Sequence, residues 1–131
     1  MIKSRYLFLL FITSLFFLNT CKNPVKQNDT IPPTISVSSH NSGQTVGEIV
    51  TIKVNTNDNE GIRKVEFYIN NELVLTVTDS PFEFTWNTTE LEDGDYILKC
   101  ISYDTSDNST PSQPITLKVD NQSFSPSEVN V

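Results

Sequence analysis

Apolar and polar residues alternate with a period of two through most of the chain between residues 35 and 119. Such alternation is typical of β-strands that bury one face. It predicts seven short strands, near residues 35–38, 50–54, 64–70, 73–77, 82–86, 98–101 and 115–119. The chain contains no alanine and shows no helical period after residue 21, and both features argue against helices. Seven short strands separated by turns predict an all-β sandwich.

The breaks between the predicted strands carry residues that are typical of tight turns. Asn70-Asn71 is a two-residue link between apolar runs, and because asparagine tolerates positive φ we expect a primed hairpin turn there. Further breaks fall at Asp79-Ser80-Pro81 and at Asp93-Gly94.

The first twenty residues have the organisation of a secretory signal. Lys3 and Arg5 precede an apolar stretch over residues 7–18 that is interrupted only by Thr13 and Ser14. The stretch is too short for a transmembrane helix, which needs about 20 apolar residues. We therefore predict that residues 1–20 are cleaved from the mature protein.

The residues that end this signal resemble the lipobox of bacterial lipoproteins. In Leu18-Asn19-Thr20-Cys21, a leucine lies three positions before the cysteine. The resemblance implies cleavage before Cys21 and attachment of a diacylglycerol and of acyl chains such as palmitate, which would anchor the protein in a membrane. The alternative is an ordinary cleaved signal that ends near a cysteine by chance.

Composition divides the mature chain into three segments. Residues 22–33 are mostly polar and contain three prolines, so we expect a lipidated, flexible tether over residues 21–32. Residues 33–121 hold the predicted strands and form the domain. Residues 122–131 are rich in Ser, Pro and Asn, and we expect a disordered tail there.

The charge of the chain excludes one class of partner. The net charge is -7, and removal of Lys3 and Arg5 with the signal changes it to -9. A nucleic-acid-binding protein needs a basic face for the phosphates, so we expect no nucleic acid partner. An acidic surface also repels anionic lipids, which leaves the anchor at Cys21 as the predicted link to the membrane.

Several segments of the predicted domain resemble the bacterial Ig-like domain family. Leu91, Gly94 and Tyr96 fit the L-x-x-G-x-Y pattern of the tyrosine corner of Greek-key sandwiches. Residues 61–71 resemble the family's K-V-E-F-Y segment, residues 80–86 its S-P-Y-x-F-x-W segment, which ends at Trp86, and residues 103–108 its Y-D-x-x-G-N loop. The resemblance covers residues 32–121. It implies a seven-stranded Ig-like Greek-key sandwich of a kind that is generally not catalytic.

Two acidic loops are candidates for a calcium site. Asp58 and Glu60 lie between the second and third predicted strands, and Asp104 and Asp107 lie between the sixth and seventh. These loops lie at the same end of an Ig-like sandwich, and Ca²⁺ takes about six to eight oxygen ligands. The alternative is that Asp and Asn occur there because they favour turns. No other cofactor is indicated.

Two tyrosines are candidates for a ligand-binding face. Tyr68 and Tyr103 fall on the outward register of strands that are neighbours in an Ig-like sheet. Two exposed rings on a flat face are suited to stacking against a sugar. The alternative is that tyrosine is simply favoured on strands, where it packs against cross-strand neighbours.

The sequence offers little material for catalysis. His40 lies in a polar loop without a nucleophile motif, whereas a general base needs a positioned nucleophile and an orienting partner. Cys100 falls on the inward register of a strand, where a lone cysteine is expected to be a small core side chain. We therefore predict that the protein is not an enzyme.

These features predict a non-enzymatic lipoprotein of the bacterial cell envelope, anchored in the outer membrane or at the cell surface. Its single Ig-like domain is expected to serve protein interaction, adhesion or structural support, with an envelope protein or a glycan as partner. The alternative is an accessory carbohydrate-binding protein that uses Tyr68 and Tyr103.

Overall fold

The computed structural model describes residues 28–124. Within this range the chain forms nine strands and one short helix: β1 (Thr34–Val37), β2 (Thr45–Val46), β3 (Ile49–Asn57), β4 (Ile62–Ile69), β5 (Glu72–Val77), β6 (Glu83–Asn87), β7 (Gly94–Asp104), β8 (Ser109–Pro111), β9 (Ile115–Val119) and α1 (Asn121–Phe124). All seven predicted strands are present. The two further strands, β2 and β8, have only two and three residues, which is too few for an alternating pattern to be recognised.

The strands form two sheets, which confirms the predicted all-β sandwich. The smaller sheet has the order β1-β3-β6, and the larger has the order β2-β9-β7-β4-β5, with β8 paired to β7. Strand β2 runs parallel to β9, whereas the other pairs are antiparallel. This topology puts β7 at the centre of the larger sheet and leaves β5 at its end.

The core lies between the inward faces of the two sheets. Ile52 of β3 is fully buried, as are Phe67 and Leu98 of the larger sheet. The rings of Phe67 and Phe84 lie 5.7 Å apart and join the two layers. Burial of a large apolar side chain contributes about 1.5–3 kcal/mol, so these residues hold the sheets together. Cys100 is buried and free in this core, as its inward register predicts.

Two predicted turns are present in the structure. Asn70 and Asn71 join β4 to β5 with φ angles of 49° and 67°, which confirms the expected hairpin turn with positive φ. In the turn before β7, Leu91 packs against the core and Gly94 is the first residue of the strand. Trp86 is buried, and its ring meets the ring of Tyr96 edge-on at 5.6 Å.

The start of the described chain packs against the sandwich. Pro33 is fully buried, and the carbonyl oxygen of Asp29 accepts a hydrogen bond of 2.9 Å from the side-chain amide of Asn108. The end of the segment that composition assigns to the tether is therefore held on the domain. Composition misses this because the holding group, Asn108, lies 79 residues away in sequence.

The end of the described chain is also held. The Asn121 side-chain oxygen accepts hydrogen bonds from the backbone N–H of Glu48 and from the hydroxyl of Thr88. Helix α1 continues the ordered chain three residues beyond the predicted domain boundary at residue 121.

The predicted signal, Cys21 and residues 125–131 lie outside the described residues. Between residues 28 and 124, no helix has the length and hydrophobicity needed to cross a membrane.

Candidate functional site

Three carboxylates meet at one end of the sandwich. Asp58 follows β3, Asp104 ends β7, and Asp29 precedes β1. One oxygen from each of the three residues lies within 4.8 Å of the others. The predicted proximity of the two acidic loops therefore holds for Asp58 and Asp104, and Asp29 is added to them.

Asp104 is the most buried member of this carboxylate cluster. Its side chain has no exposed surface. Its Oδ1 accepts hydrogen bonds from the backbone N–H groups of Ser106 and Asn108 at 2.7 and 2.9 Å, and its Oδ2 accepts one from the Asn108 side chain. Burial alone would raise the pKa of Asp104, but these hydrogen bonds outweigh it and the pKa is lowered. The residue thus holds the loop after β7 as a charged acceptor.

Within the part of the chain that the structure describes, Asp58 and Asp29 each use only one carboxylate oxygen for hydrogen bonds. Asp58 Oδ2 accepts hydrogen bonds from the backbone N–H groups of Glu60 and Gly61 at 2.8 and 3.1 Å, whereas Asp58 Oδ1 is buried without a partner. Asp29 Oδ1 accepts a hydrogen bond of 3.0 Å from the N–H of Ile31, whereas Asp29 Oδ2 is buried without a partner. Buried polar atoms are nearly always paired, so two such oxygens in one cluster call for an explanation.

The other two residues proposed for calcium lie outside this cluster. Asp107 forms an ion pair with Arg63. Glu60 is exposed, and its backbone N–H rather than its carboxylate contacts Asp58. Sequence reasoning misses Asp29 because a polar segment rich in prolines predicts a tether. The signal that could have found Asp29 is its distance from β1. It lies four residues before Pro33, and Pro33 is buried where β1 begins, so the chain near Asp29 is close to the domain.

The outward face of the larger sheet holds a second cluster around a carboxylate. Glu66 of β4 is only 7% exposed although it points away from the core. It accepts hydrogen bonds from Lys64 Nζ at 2.5 Å, from the Tyr68 hydroxyl at 2.7 Å and from the Tyr103 hydroxyl at 3.1 Å. The two tyrosines lie on the outward face as predicted, but they are half-buried rather than exposed. Their hydroxyls share one acceptor, the Oε2 atom of Glu66, which the sequence does not predict.

Ammonium groups lie over both tyrosine rings of this face. Lys64 Nζ is 4.3 Å from the centre of the Tyr103 ring, and Lys99 Nζ is 5.3 Å from that of Tyr68. These distances are within the range of cation–π attraction. A sugar that stacks on either ring must therefore share it with a lysine or displace it.

The pKa values of the cluster follow from these contacts. Burial alone would raise the pKa of Glu66, but hydrogen bonds from Lys64, Tyr68 and Tyr103 outweigh it and lower the pKa. The hydrogen bond to Glu66, with burial, raises the pKa of Tyr68 to about 12. Burial, together with the same acceptor, raises the pKa of Tyr103. At neutral pH the cluster therefore holds a carboxylate and two neutral phenols.

Strand β5 is the outer edge of the larger sheet. It pairs with β4 on one side and has no strand on its other side among residues 28–124. Leu73 and Val74 on this strand are 49% and 41% exposed, respectively. An edge strand presents unpaired backbone groups, and exposed apolar side chains on it favour pairing with another chain.

His40 is part of a small polar contact. Its Nδ1 lies 2.7 Å from the hydroxyl oxygen of Ser39, and burial lowers its pKa. In the part of the chain that the structure describes, its ring has no carboxylate partner. The pair therefore lacks the third group that orients the base in a serine nucleophile triad.

Comparison with known proteins identifies the family and the fold of the domain. A family model described as "Bacterial Ig domain" matches residues 33–99. Among solved structures, the fibronectin(III)-like modules of CbhA from Clostridium thermocellum are similar at 23% identity and a TM-score of 0.54, over 70% of this chain and 47% of that one. The endo-beta-1,4-mannanase from Thermotoga petrophila is similar at 17% identity and a TM-score of 0.56, over 72% of this chain and 21% of that one.

These likenesses to solved structures show the fold alone. The alignments span less than half the length of either solved chain. No match was found among curated proteins.

Proposed function

This chain belongs to the bacterial Ig domain family, and from that premise we propose that it is a non-enzymatic lipoprotein of the bacterial cell envelope. Its one Ig-like domain serves protein interaction, adhesion or structural support. Domains of this family are commonly extracellular or surface-exposed, are generally not catalytic and usually need no cofactor. These properties support a role in contact with another envelope component.

The observation that carries the proposal is the free edge of β5. Its sequence, Glu-Leu-Val-Leu-Thr-Val, contains neither the lysine nor the proline with which natural edge strands discourage pairing. Addition of a partner strand to such an edge is a recurring mode of recognition. Backbone hydrogen bonds would supply affinity, and Leu73 and Val74 would add apolar contact.

Cross-linking and pull-down from intact cells tests this interface. We expect Leu73→Lys and Val74→Lys to lose the cross-linked partner, because a charge on the edge opposes strand addition. The matched control is Ile97→Lys, since Ile97 is 45% exposed but lies on β7 inside the sheet. Loss of the partner in the control with retention in both edge variants would move the interface from the edge to the sheet face.

The lipid anchor at Cys21 is tested separately. We expect radiolabelled palmitate to enter the wild-type protein and the Cys100→Ala variant but not Cys21→Ala. Globomycin, which inhibits the lipoprotein signal peptidase, should block processing. A Cys21→Ala protein that is still held in the membrane would refute the anchor without affecting the interface.

Carbohydrate binding through Tyr68 and Tyr103 is the second candidate. The observation that favours it is the Glu66 carboxylate that both hydroxyls share on the outward face, at 2.7 and 3.1 Å. The shared carboxylate fixes the two hydroxyls beside each other, and the rings that carry them offer a sugar a stacking surface. The acceptor is already engaged, so the rings would carry most of the binding.

A glycan array with matched variants tests this candidate. We expect Tyr68→Ala and Tyr103→Ala to lose any glycan that the wild type retains, and Tyr68→Phe to keep it, because phenylalanine preserves the ring. Equal retention by the alanine variants would dispose of the carbohydrate site and leave the β5 edge as the candidate surface.

A further inference from the structure

We propose that Asp29, Asp58 and Asp104 form a calcium site that fixes the chain before β1 onto the loop end of the sandwich. One carboxylate oxygen from each residue lies within 4.8 Å of the others, although the three come from separate parts of the sequence. The inference does not depend on the lipid anchor or on the β5 interface.

A second observation points to a ligand at this place. Among residues 28–124, Asp29 Oδ2 and Asp58 Oδ1 are buried oxygens with no hydrogen-bond partner. A buried carboxylate oxygen that lacks a partner is costly, more so when further carboxylates repel it. Turn formation accounts for Asp29 Oδ1 and Asp58 Oδ2, which accept backbone N–H groups. It does not account for the two unpartnered oxygens, whereas a bound cation accounts for both.

The donor set favours Ca²⁺ over other common metal ions. The cluster offers carboxylate oxygens and contains no histidine or cysteine, the ligands that zinc prefers. Two oxygens bound to one Ca²⁺ at about 2.3–2.6 Å lie at most about 5 Å apart, which agrees with the separations in the cluster. Mg²⁺ keeps several of its waters and usually takes only one or two carboxylates, in strict octahedral geometry at about 2.0–2.1 Å, so a cluster of three carboxylates suits it less well than Ca²⁺.

The site would join the chain that precedes the domain to two of its loops. Asp29 lies five residues before β1, whereas Asp58 follows β3 and Asp104 ends β7. Without a cation, one hydrogen bond between described residues, from the Asn108 side chain to the carbonyl of Asp29, links this residue to the loop after β7. A bound Ca²⁺ adds side-chain ligands on both sides of that link and thereby fixes the direction in which the chain leaves the domain.

Calcium titration of the purified full-length protein tests the site. After treatment with EDTA, we expect saturable binding of Ca²⁺ by calorimetry and a rise in Tm of at least about 4 °C at saturating Ca²⁺, because a ligand that binds the folded state stabilises it. The same concentration of Mg²⁺ should give a much smaller shift.

Two variants locate the ligands. Asp29→Asn should abolish the shift in Tm while leaving the Tm in EDTA close to that of the wild type, because asparagine still offers an oxygen to the N–H of Ile31. Glu60→Gln is the matched control, since Glu60 is an exposed acid next to the cluster but outside it. It should keep the full response to Ca²⁺.

Hydrogen exchange gives a readout that does not depend on global stability. Ca²⁺ should slow exchange at residues 29–33 in the wild type and in Glu60→Gln but not in Asp29→Asn. A Tm and an exchange rate that do not respond to millimolar Ca²⁺ would overturn the proposal. So would loss of the response in Glu60→Gln with retention in Asp29→Asn.

Discussion

The hydroxyl of Tyr96 donates a hydrogen bond of 3.0 Å to the backbone carbonyl oxygen of Glu92, four residues earlier in the chain. This is the contact of a tyrosine corner, and it ties the turn before β7 to the strand itself. The ring also packs edge-on against Trp86 of β6, so one side chain connects the turn to the opposite sheet.

Tyr96→Phe isolates the hydrogen bond from the ring packing. We expect it to lower the free energy of unfolding by about 0.5–1.5 kcal/mol, because phenylalanine keeps the contact with Trp86 and loses only the bond to Glu92. Urea denaturation followed by the fluorescence of Trp86, the single tryptophan of the chain, measures the change. An unchanged midpoint would mean that the hydroxyl does not stabilise the turn.

Two substitutions in the hairpin turn between β4 and β5 are expected to have different effects on the free energy of unfolding. Asn71 has a φ of 67°, where a Cβ atom costs about 1–2 kcal/mol for most residues and asparagine is better tolerated. We expect Asn71→Ala to lower the free energy of unfolding by about 1 kcal/mol and Asn71→Gly to leave it unchanged or to raise it slightly. Thermal denaturation of the three proteins checks the order, and alanine equal to glycine would contradict it.

The cluster around Glu66 predicts a dependence of stability on pH. Its pKa in the folded protein is lowered from the ordinary value of 4.5, so its contribution is complete above that value and is lost as the pH falls through the lower folded pKa. We expect the wild type to lose more stability between pH 7 and pH 3 than Glu66→Gln does, with the variant the weaker of the two at pH 7. Urea titrations at both pH values measure this, and parallel losses would contradict it.

Cys100 is predicted to be unreactive in the native state. Burial raises the pKa of its thiol to about 12, and the thiolate is the form that attacks disulfide reagents. In a Cys21→Ser background, where Cys100 is the remaining cysteine, Ellman's reagent at pH 8 should release no colour from the folded protein and one equivalent in urea. Rapid reaction without denaturant would show that the strand opens or that the thiol is accessible.

The strands and turns are predictable from the sequence because their signals are local. Alternation assigns the inward side chains of β3, β4 and β9, and the spacing of Leu91, Gly94 and Tyr96 predicts the corner. Strands β2 and β8 give no such signal, because two or three residues do not establish a period.

The candidate sites are only partly predictable because they depend on distant residues. Alternation puts Glu66 on the outward face, but its burial depends on neighbours such as Tyr103, which is 37 residues away. Asp58 and Asp104 are predictable as loop acids at one end of the sandwich. Asp29 is not, since its place in the cluster depends on how the preceding chain folds back against Asn108.

The parallel pairing of β2 with β9 has a mechanical consequence. Backbone hydrogen bonds run from Gly43 to Thr116, from Lys118 to Gln44 and from Asp120 to Val46, at 2.7–3.0 Å. Once β1 has separated from β3, a force that pulls the chain from both sides of the domain drives β2 and β9 past each other along their length. The bonds are then loaded together in shear rather than opened one after another, so the domain would resist extension until they fail at once.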